Sequence, residues 1–99
     1  MSQPLAALAV ANEIRLGRSE HRRHLKSLPR VEARRELAAL VADPPSLWRT
    51  ATLGYVLGMP ARTGPATVRR WLFTADLSAT KRLGEMTPRQ RRVLAGVIR

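Results

Sequence analysis

The sequence predicts an all-α protein, with a long N-terminal helix followed by a compact helical domain. Apolar residues recur at the three- and four-residue spacing of amphipathic helices, and proline or glycine separates the segments that show it. The β-branched alternation and Asn-Gly turns that are typical of strands are essentially missing. The 99 residues are 44% apolar, which is enough for one domain with a thin core.

Two helices are predicted in the first half of the chain. The first extends from about Pro4 to Leu28 and ends at Pro29, and Gly17 is expected to weaken it by about 1 kcal/mol relative to alanine. One of its faces carries Ile14, His21, Leu25 and Leu28. The second extends from Arg30 to about Ala42, where an Asp-Pro-Pro sequence stops it. Its inward residues are Leu37, Leu40 and Val41.

A third helix, a loop and a fourth helix are predicted next. The third helix extends from Leu47 to Leu57, and its expected inward residues are Trp48, Ala51, Tyr55 and Val56. The loop, residues 61–65, leads into a fourth helix over Ala66–Thr74. Pro65 suits the start of that helix because its missing N–H costs nothing there. The residues that this helix directs inward are Val68, Trp71 and Leu72.

The last predicted helix has a clear start. Ser78–Arg82 is expected to form a single helical turn, after which Thr87 is the N-cap and Pro88 the first helical residue. The inward residues of this helix are Val93, Leu94, Val97 and Ile98, and its solvent-facing cations are Arg89, Arg91 and Arg92. The whole chain is expected to be one domain, in which residues 1–29 form a basic helix and residues 30–99 a helical body.

Positive charge dominates the composition. Eighteen Lys and Arg residues against seven Asp and Glu give a net charge of +11, and all the cations except Lys26 and Lys81 are arginine. Residues 1–35 carry +5 and residues 60–99 carry +7, whereas residues 36–59 carry −1. An excess of this size attracts polyanions, because each neutralised phosphate releases condensed counterions. The distribution predicts two contact regions separated by an apolar scaffold.

The sequence contains none of the residue patterns that we associate with an enzyme active site. It has no cysteine, no phosphate-binding loop and no Ser-His-Asp set, and its acids are widely spread. Glu32 and Glu36 fit pairing with neighbouring arginines one turn away. His21 and His24 lie among cations that oppose a metal. We therefore expect no catalysis, metal, cofactor or small-molecule substrate. With no apolar run long enough to span a bilayer, a cytoplasmic protein is expected. We also expect the protein to be a monomer in solution.

A stripe of cations follows one side of the first helix. Successive turns carry Arg15, Arg18, Arg22 and Lys26, and Arg23 lies beside them. Such a stripe is compatible with a solvated face, a membrane surface or contact with phosphates. Phosphate contact is favoured because a second basic block exists, and because the helix offers mostly alanine before Ile14 where a membrane helix needs large apolar residues.

The loop at residues 60–65 is the most specific local feature. Gly64, directly before a helix start, is expected to let backbone N–H groups face an anion, assisted by the helix dipole and by Arg62. A plain turn between two helices is the alternative. Arg69 and Arg70, which follow in the fourth helix, favour the phosphate interpretation.

The order of these parts is similar to a known family. The sequence Arg22-Arg23-His24-Leu25-Lys26, the Met59-Pro60 pair followed by Gly64, the run Thr80-Lys81-Arg82-Leu83 and the run from Arg89 to Leu94 carry the resemblance. From Met59 to Ile98 the chain resembles the helix–two-turns–helix module of a small-subunit ribosomal protein and of DNA glycosylases of the formamidopyrimidine type. As a whole it resembles a divergent actinobacterial-type integration host factor, a small nucleoid-associated protein. Pro65 replaces the lysine usual after the turn glycine, and Glu85 places an acid in the second turn.

The resemblance implies a fold and a set of contacts. It places a helix–two-turns–helix module at about residues 47–98, within a DNA-binding region of residues 30–99. It also implies that Arg62, Thr63 and Gly64 meet one phosphate, and that the first helix reaches a further stretch of backbone. The residues expected to flank that phosphate are Lys81, Arg82, Arg89 and Arg92.

Three function hypotheses follow. The first is a nucleoid-associated protein that binds duplex DNA by its backbone and compacts, bends or regulates it. The second is a sequence-preferring regulator or a recombination accessory factor, of host or phage origin, with Arg69 and Arg70 at base edges. The third is a protein that binds ribosomal or other structured RNA, although four aromatic residues leave little for stacking on single strands.

Overall fold

Five α-helices make up most of the described chain, residues 3–99 of the computed structural model. They are α1 (Gln3–Ser27), α2 (Arg30–Ala42), α3 (Leu53–Leu57), α4 (Pro65–Ala75) and α5 (Pro88–Ile98). Two 3₁₀ turns, Ser46–Trp48 and Leu83–Glu85, complete the regular structure, and no strand occurs within residues 3–99. The predicted all-α class is confirmed. Residues 1 and 2 of the predicted basic segment lie outside the described residues.

The helix boundaries that depend on local chemistry agree with the sequence. Thr87 caps α5, where its hydroxyl accepts from the Gln90 N–H at 3.2 Å and the Gln90 side chain accepts from the Thr87 N–H at 2.9 Å. Pro88 and Pro65 occupy the first turns of α5 and α4. Pro29 separates α1 from α2. These features need only neighbours in the chain, which is why the sequence predicts them.

One apolar core joins the helices. α5 packs most extensively on α2 and also contacts α4, while the second half of α1 contacts α2 and the first 3₁₀ turn. Trp48 is the largest fully buried side chain, and Leu25 is the fully buried residue of α1. The predicted inward residues of α2 and α4 are all buried. Residues 7–13 of α1 are exposed, so this part of the helix extends away from the core.

The predicted third helix is wrong, because the chain leaves the helix between Arg49 and Thr52. The carbonyls of Arg49 and Ala51 accept from the Gly84 and Leu83 N–H groups at 2.9 and 3.0 Å, and the Leu53 N–H donates to the Lys81 carbonyl at 2.8 Å. These backbone bonds to residues 81–84 replace helical ones. Within the predicted turn Ser78–Arg82, the Lys81 N–H donates to the Ser78 carbonyl at 3.1 Å, so a single hydrogen-bonded turn forms there without becoming a helix, and the 3₁₀ turn follows at Leu83–Glu85.

Two glycines allow backbone segments to approach closely. A Cβ at Gly84 would lie 3.1 Å from the Arg49 carbonyl oxygen, so Gly84 permits the pairing with residues 49–52. A Cβ at Gly17 would lie 3.1 Å from Leu47 Cδ2, so glycine at this position allows α1 to pack closely on the first 3₁₀ turn. The same glycine lowers the helix propensity of α1.

Two residues predicted to face inward are exposed. Tyr55 is 48% exposed and Val93 is 42% exposed. Tyr55 moves outward because α3 begins only at Leu53, which turns Leu53, Val56 and Leu57 toward the core instead. In α5, Leu94, Ala95 and Ile98 are the buried residues, and Val93 lies outside the face that they form.

Candidate nucleic-acid interface

The cations of the described side chains, residues 7–99, have no acidic partners. No arginine or lysine in this range lies within 4.0 Å of a carboxylate. The Glu36 carboxylate instead contacts a histidine, with His24 Nε2 2.9 Å from Glu36 Oε2, so the predicted pairing of Glu36 with a neighbouring arginine is wrong. The same holds for Glu32, which has no cation within that distance. The guanidinium groups are thus not neutralised within the protein.

Arg18 differs from the rest of the α1 stripe because its half-buried guanidinium is hydrogen-bonded to another segment of the protein. Its Nε donates to the Leu47 carbonyl and its Nη2 to Thr50 Oγ1, both at 2.8 Å, and the group lies 5.3 Å from the Trp48 ring centroid. Arg18 therefore fastens α1 to the segment after the first 3₁₀ turn.

The other stripe cations line two adjoining clefts. One, of about 480 Å³, lies between α1 and α3, and its polar lining comprises Arg15, Arg18, Ser19, Arg22, Thr50 and Tyr55. The Arg22 Nη1 is 3.4 Å from the Tyr55 hydroxyl, which it orients. The second cleft, of about 200 Å³, is lined by Ser19, Arg22, Arg23 and Lys26. The structure thus brings together all five predicted residues of α1.

The loop before α4 turns at Arg62, not at Gly64. Arg62 has a φ of 65°, whereas Gly64 has an ordinary φ of −83° as the N-cap of α4. The left-handed conformation costs about 1–2 kcal/mol at a residue with a Cβ, and the turn is closed by the Thr63 N–H, which donates to the Pro60 carbonyl at 3.3 Å. No side chain of the N-cap residue Gly64 caps α4, so the N–H groups of its first turn keep the partial positive charge of a helix N-terminus.

Arg69 and Arg70 point to different surfaces. Arg69 lines a cleft of about 350 Å³ together with Gly54, Gly58, Thr63, Pro65 and Ala79. Arg70 lies near Arg34 of α2. Partial burial and then repulsion from Arg30 and Arg70 lower the pKa of Arg34. Adjacent residues on a helix are about 100° apart, so only Arg69 shares a site with the loop.

The α1 clefts and the loop cleft lie on two sides of α3. Tyr55 of α3 lines the cleft against α1, while Gly54 of the same short helix and its C-cap Gly58 line the cleft that contains Thr63 and Arg69. The α1 stripe and the loop are therefore both neighbours of α3. We call this combined region the hairpin face, formed by Arg15, Arg22, Arg23, Lys26, Arg62, Thr63 and Arg69.

The remaining predicted residues are less closely associated. Lys81 is half-buried beside α3, and the side chain of Arg82 is exposed. The backbone N–H of Arg82 donates to Glu85 Oε1 at 2.9 Å. The Glu85 carboxylate is thus engaged in capping the second 3₁₀ turn. Arg89 and Arg92 are exposed on α5, and within residues 7–99 no hydrogen bond or shared cleft joins them to the loop.

Sequence reasoning missed a second basic cluster. Its members are Arg30, Arg34, Arg35 and Arg99, which line a groove of about 700 Å³ with Val31. The spacing of Arg30, Arg34 and Arg35 places them along one side of a helix and was visible in the sequence, whereas the approach of Arg99 depends on how α5 packs on α2.

His21 links α1 to the buried Trp48. The Trp48 Nε1–H donates to His21 Nδ1 at 2.7 Å, which requires an unprotonated Nδ1. Burial lowers the pKa of His21 below 6.5; the nearby Glu36 opposes this effect and His24 adds to it. His21 therefore has a structural role, since it holds α1 against the buried Trp48.

We expect the protein to lose stability as the pH falls below about 6.5. The unfolded state then binds the His21 proton before the folded state does, so this contribution is complete above pH 6.5 and is lost as the pH falls through the lowered folded-state pKa. Urea unfolding followed by circular dichroism at several pH values measures the loss. In His21→Asn the fall should flatten, whereas His24→Asn should retain it. An equal fall in wild type and His21→Asn would contradict this role.

The described residues contain neither a metal site nor a membrane span. No group of three His, Asp or Glu side chains there is arranged to hold a metal ion. None of the helices found in this part of the chain has the length and apolar character to cross a bilayer. Comparison of the chain with known protein families, with characterised proteins and with solved structures finds no match.

Proposed function

We propose that this protein binds duplex DNA through its phosphate backbone, with little sequence preference, and acts without catalysis as a nucleoid-associated protein. The observation that carries the proposal is the hairpin face. Its cations have no acidic partners: those of α1 line the two clefts beside α3, Arg69 lines the cleft on the other side of α3, and Arg62 lies in the loop before α4. Neutralising several phosphates at once releases counterions, which supplies most of the affinity of non-specific DNA binding.

The chemistry of the hairpin face favours backbone contact over base recognition. Its donors are mainly guanidinium groups, one ammonium group and the free N–H groups of α4, all of which suit phosphate oxygens. Trp48 and Trp71 are buried and the exposed Phe73 is not part of the hairpin face, so Tyr55 is the aromatic side chain beside this face on which a single-stranded base could stack. A backbone-binding role is also what the resemblance to integration host factors implies.

A sequence-preferring regulator is the second candidate. Arg69, early in α4 and beside the loop, is placed for contact with a base edge if α4 enters a groove, and arginine at guanine is the commonest such contact. Arg70, which lies toward α2, supports this role less. Structured RNA is a third possible ligand, because its backbone carries the same charge.

Competition binding separates these candidates. A fluorescent duplex of random sequence is titrated with protein in about 50 mM salt and then displaced by unlabelled genomic duplex or structured RNA. We expect efficient displacement by any duplex and weaker displacement by RNA. Absence of duplex binding, or a clear preference for RNA, would overturn the proposal. A discrete footprint on genomic fragments would favour the regulator.

A further inference from the structure

A second basic surface lies away from the hairpin face. Arg30, Arg34, Arg35 and Arg99 line the 700 Å³ groove, and no carboxylate of the described side chains lies within 4.0 Å of any of them. Arg30 and Arg34 are one turn apart, about 6 Å along α2. We call this region the α2 groove.

The two surfaces lie on different sides of α2. The side that carries Glu36 faces α1, where Glu36 pairs with His24. The side that carries Arg34 faces α4, where its guanidinium lies 5.5 Å from the Trp71 ring centroid. The acidic side of α2 thus lies between the α1 stripe and the α2 groove, and the two surfaces face different directions about α2, which favours a separate stretch of duplex on each.

The lining of the α2 groove indicates the kind of ligand. It consists of four arginines and Val31, with no amide, hydroxyl or exposed aromatic side chain that would recognise a base or a sugar. Trp71 beneath Arg34 is only 3% exposed, so it offers no stacking surface. Guanidinium groups alone select for phosphate oxygens, and an open row of them suits an extended polyanion more than a compact nucleotide.

We propose that the α2 groove is a second phosphate-backbone contact, through which one molecule of this protein holds two duplex DNA segments together. The inference rests on the proposed function, because the hairpin face must hold the first segment. The bridging molecule is a single copy of the chain, since each copy carries both surfaces.

A bridging assay tests the inference. A biotinylated duplex on streptavidin beads is incubated with protein and a second, fluorescent duplex in about 50 mM salt, and the captured fluorescence is measured. The groove variant carries Arg30→Gln, Arg35→Gln and Arg99→Gln, with Arg34 retained because it packs on Trp71. The reciprocal variant carries Arg22→Gln, Arg62→Gln and Arg69→Gln, which removes the same charge from the hairpin face. The helical circular dichroism signal of each variant is compared with that of wild type to check that both variants are folded.

We expect wild type to capture the second duplex and each variant to lose about tenfold or more of that capture. The groove variant should still bind a single duplex with nearly the wild-type affinity. A mixture of the two variants should not restore capture, because neither molecule has both surfaces. Restoration by the mixture would mean that pairs of molecules form the bridge and would overturn the inference. It would also be overturned if wild type bound one duplex without capturing a second, or if the groove variant bridged as wild type does. No binding to the immobilised duplex would overturn the proposed function as well.

Discussion

Raising the salt concentration from 50 to 200 mM is expected to weaken duplex binding by about 10³- to 10⁵-fold, as for a protein that makes about 6–10 phosphate contacts. The physical reason is that each bound cation releases counterions from the DNA, and added salt opposes that release. The hairpin face supplies a suitable number of such groups, since none of its arginines is neutralised by a carboxylate within the protein. Fluorescence anisotropy at several salt concentrations gives the slope of log affinity against log salt. An affinity that barely changes with salt would contradict backbone binding.

Single substitutions show which residues contribute to the slope of log affinity against log salt. Arg22→Gln, Arg62→Gln and Arg69→Gln should each reduce the magnitude of the slope by about 1, uniformly across duplex sequences. Arg35→Gln removes the same charge from the α2 groove and should leave the slope measured for binding of a single duplex to the hairpin face unchanged. If Arg35→Gln reduced the slope as much as Arg62→Gln, net charge rather than the hairpin face would account for binding.

Replacing Trp48 by alanine is expected to destabilise the fold by about 3–5 kcal/mol. Trp48 is fully buried, its ring contacts Arg18 and His21, and its N–H is bonded to His21 Nδ1. Alanine would leave a cavity and a histidine nitrogen without its donor. For a domain of this size, each kcal/mol lowers the melting temperature by about 4–8 °C, so the loss should exceed 10 °C. Thermal unfolding followed by the helical circular dichroism signal measures it.

Phe73 provides the matched control. It is 88% exposed, so Phe73→Ala removes an aromatic ring from the surface and should change stability by no more than about 0.5 kcal/mol. Trp48→Phe keeps most of the apolar volume but loses the N–H donor, and its cost should fall between those of the two alanine variants. Equal destabilisation by Trp48→Ala and Phe73→Ala would contradict the central place of Trp48 in the core.

Local signals in the sequence predicted the helices well where capping and proline decide their ends. Thr87, Pro88 and Gln90 act on one another within a single turn, and Pro29 prevents α1 and α2 from being continuous. The apolar periodicity of α2 and α4 also identified their buried faces, because both helices are long enough for the pattern to repeat.

The third helix failed for a reason that periodicity cannot reveal. The Arg49 and Ala51 carbonyls bond to N–H groups about 30 residues further along the chain, and these bonds compete successfully with helical ones. Tyr55 is consequently exposed and lines a cleft with Arg22. The turn of the loop was likewise expected at Gly64, whereas the residue in the left-handed conformation is Arg62.

The candidate site divides in the same way. Composition and helical spacing determined that the protein is basic, that its helices carry rows of arginine, and that α1 and the loop before α4 belong among the candidate contacts. Only the tertiary structure decided that Arg18 bonds internally to Leu47, that Arg69 and Arg70 serve different surfaces, and that Arg99 joins α2 in a second groove. The physical reason is that charge and helix propensity are properties of residues and near neighbours, whereas the surface that a cation reaches depends on how distant helices pack.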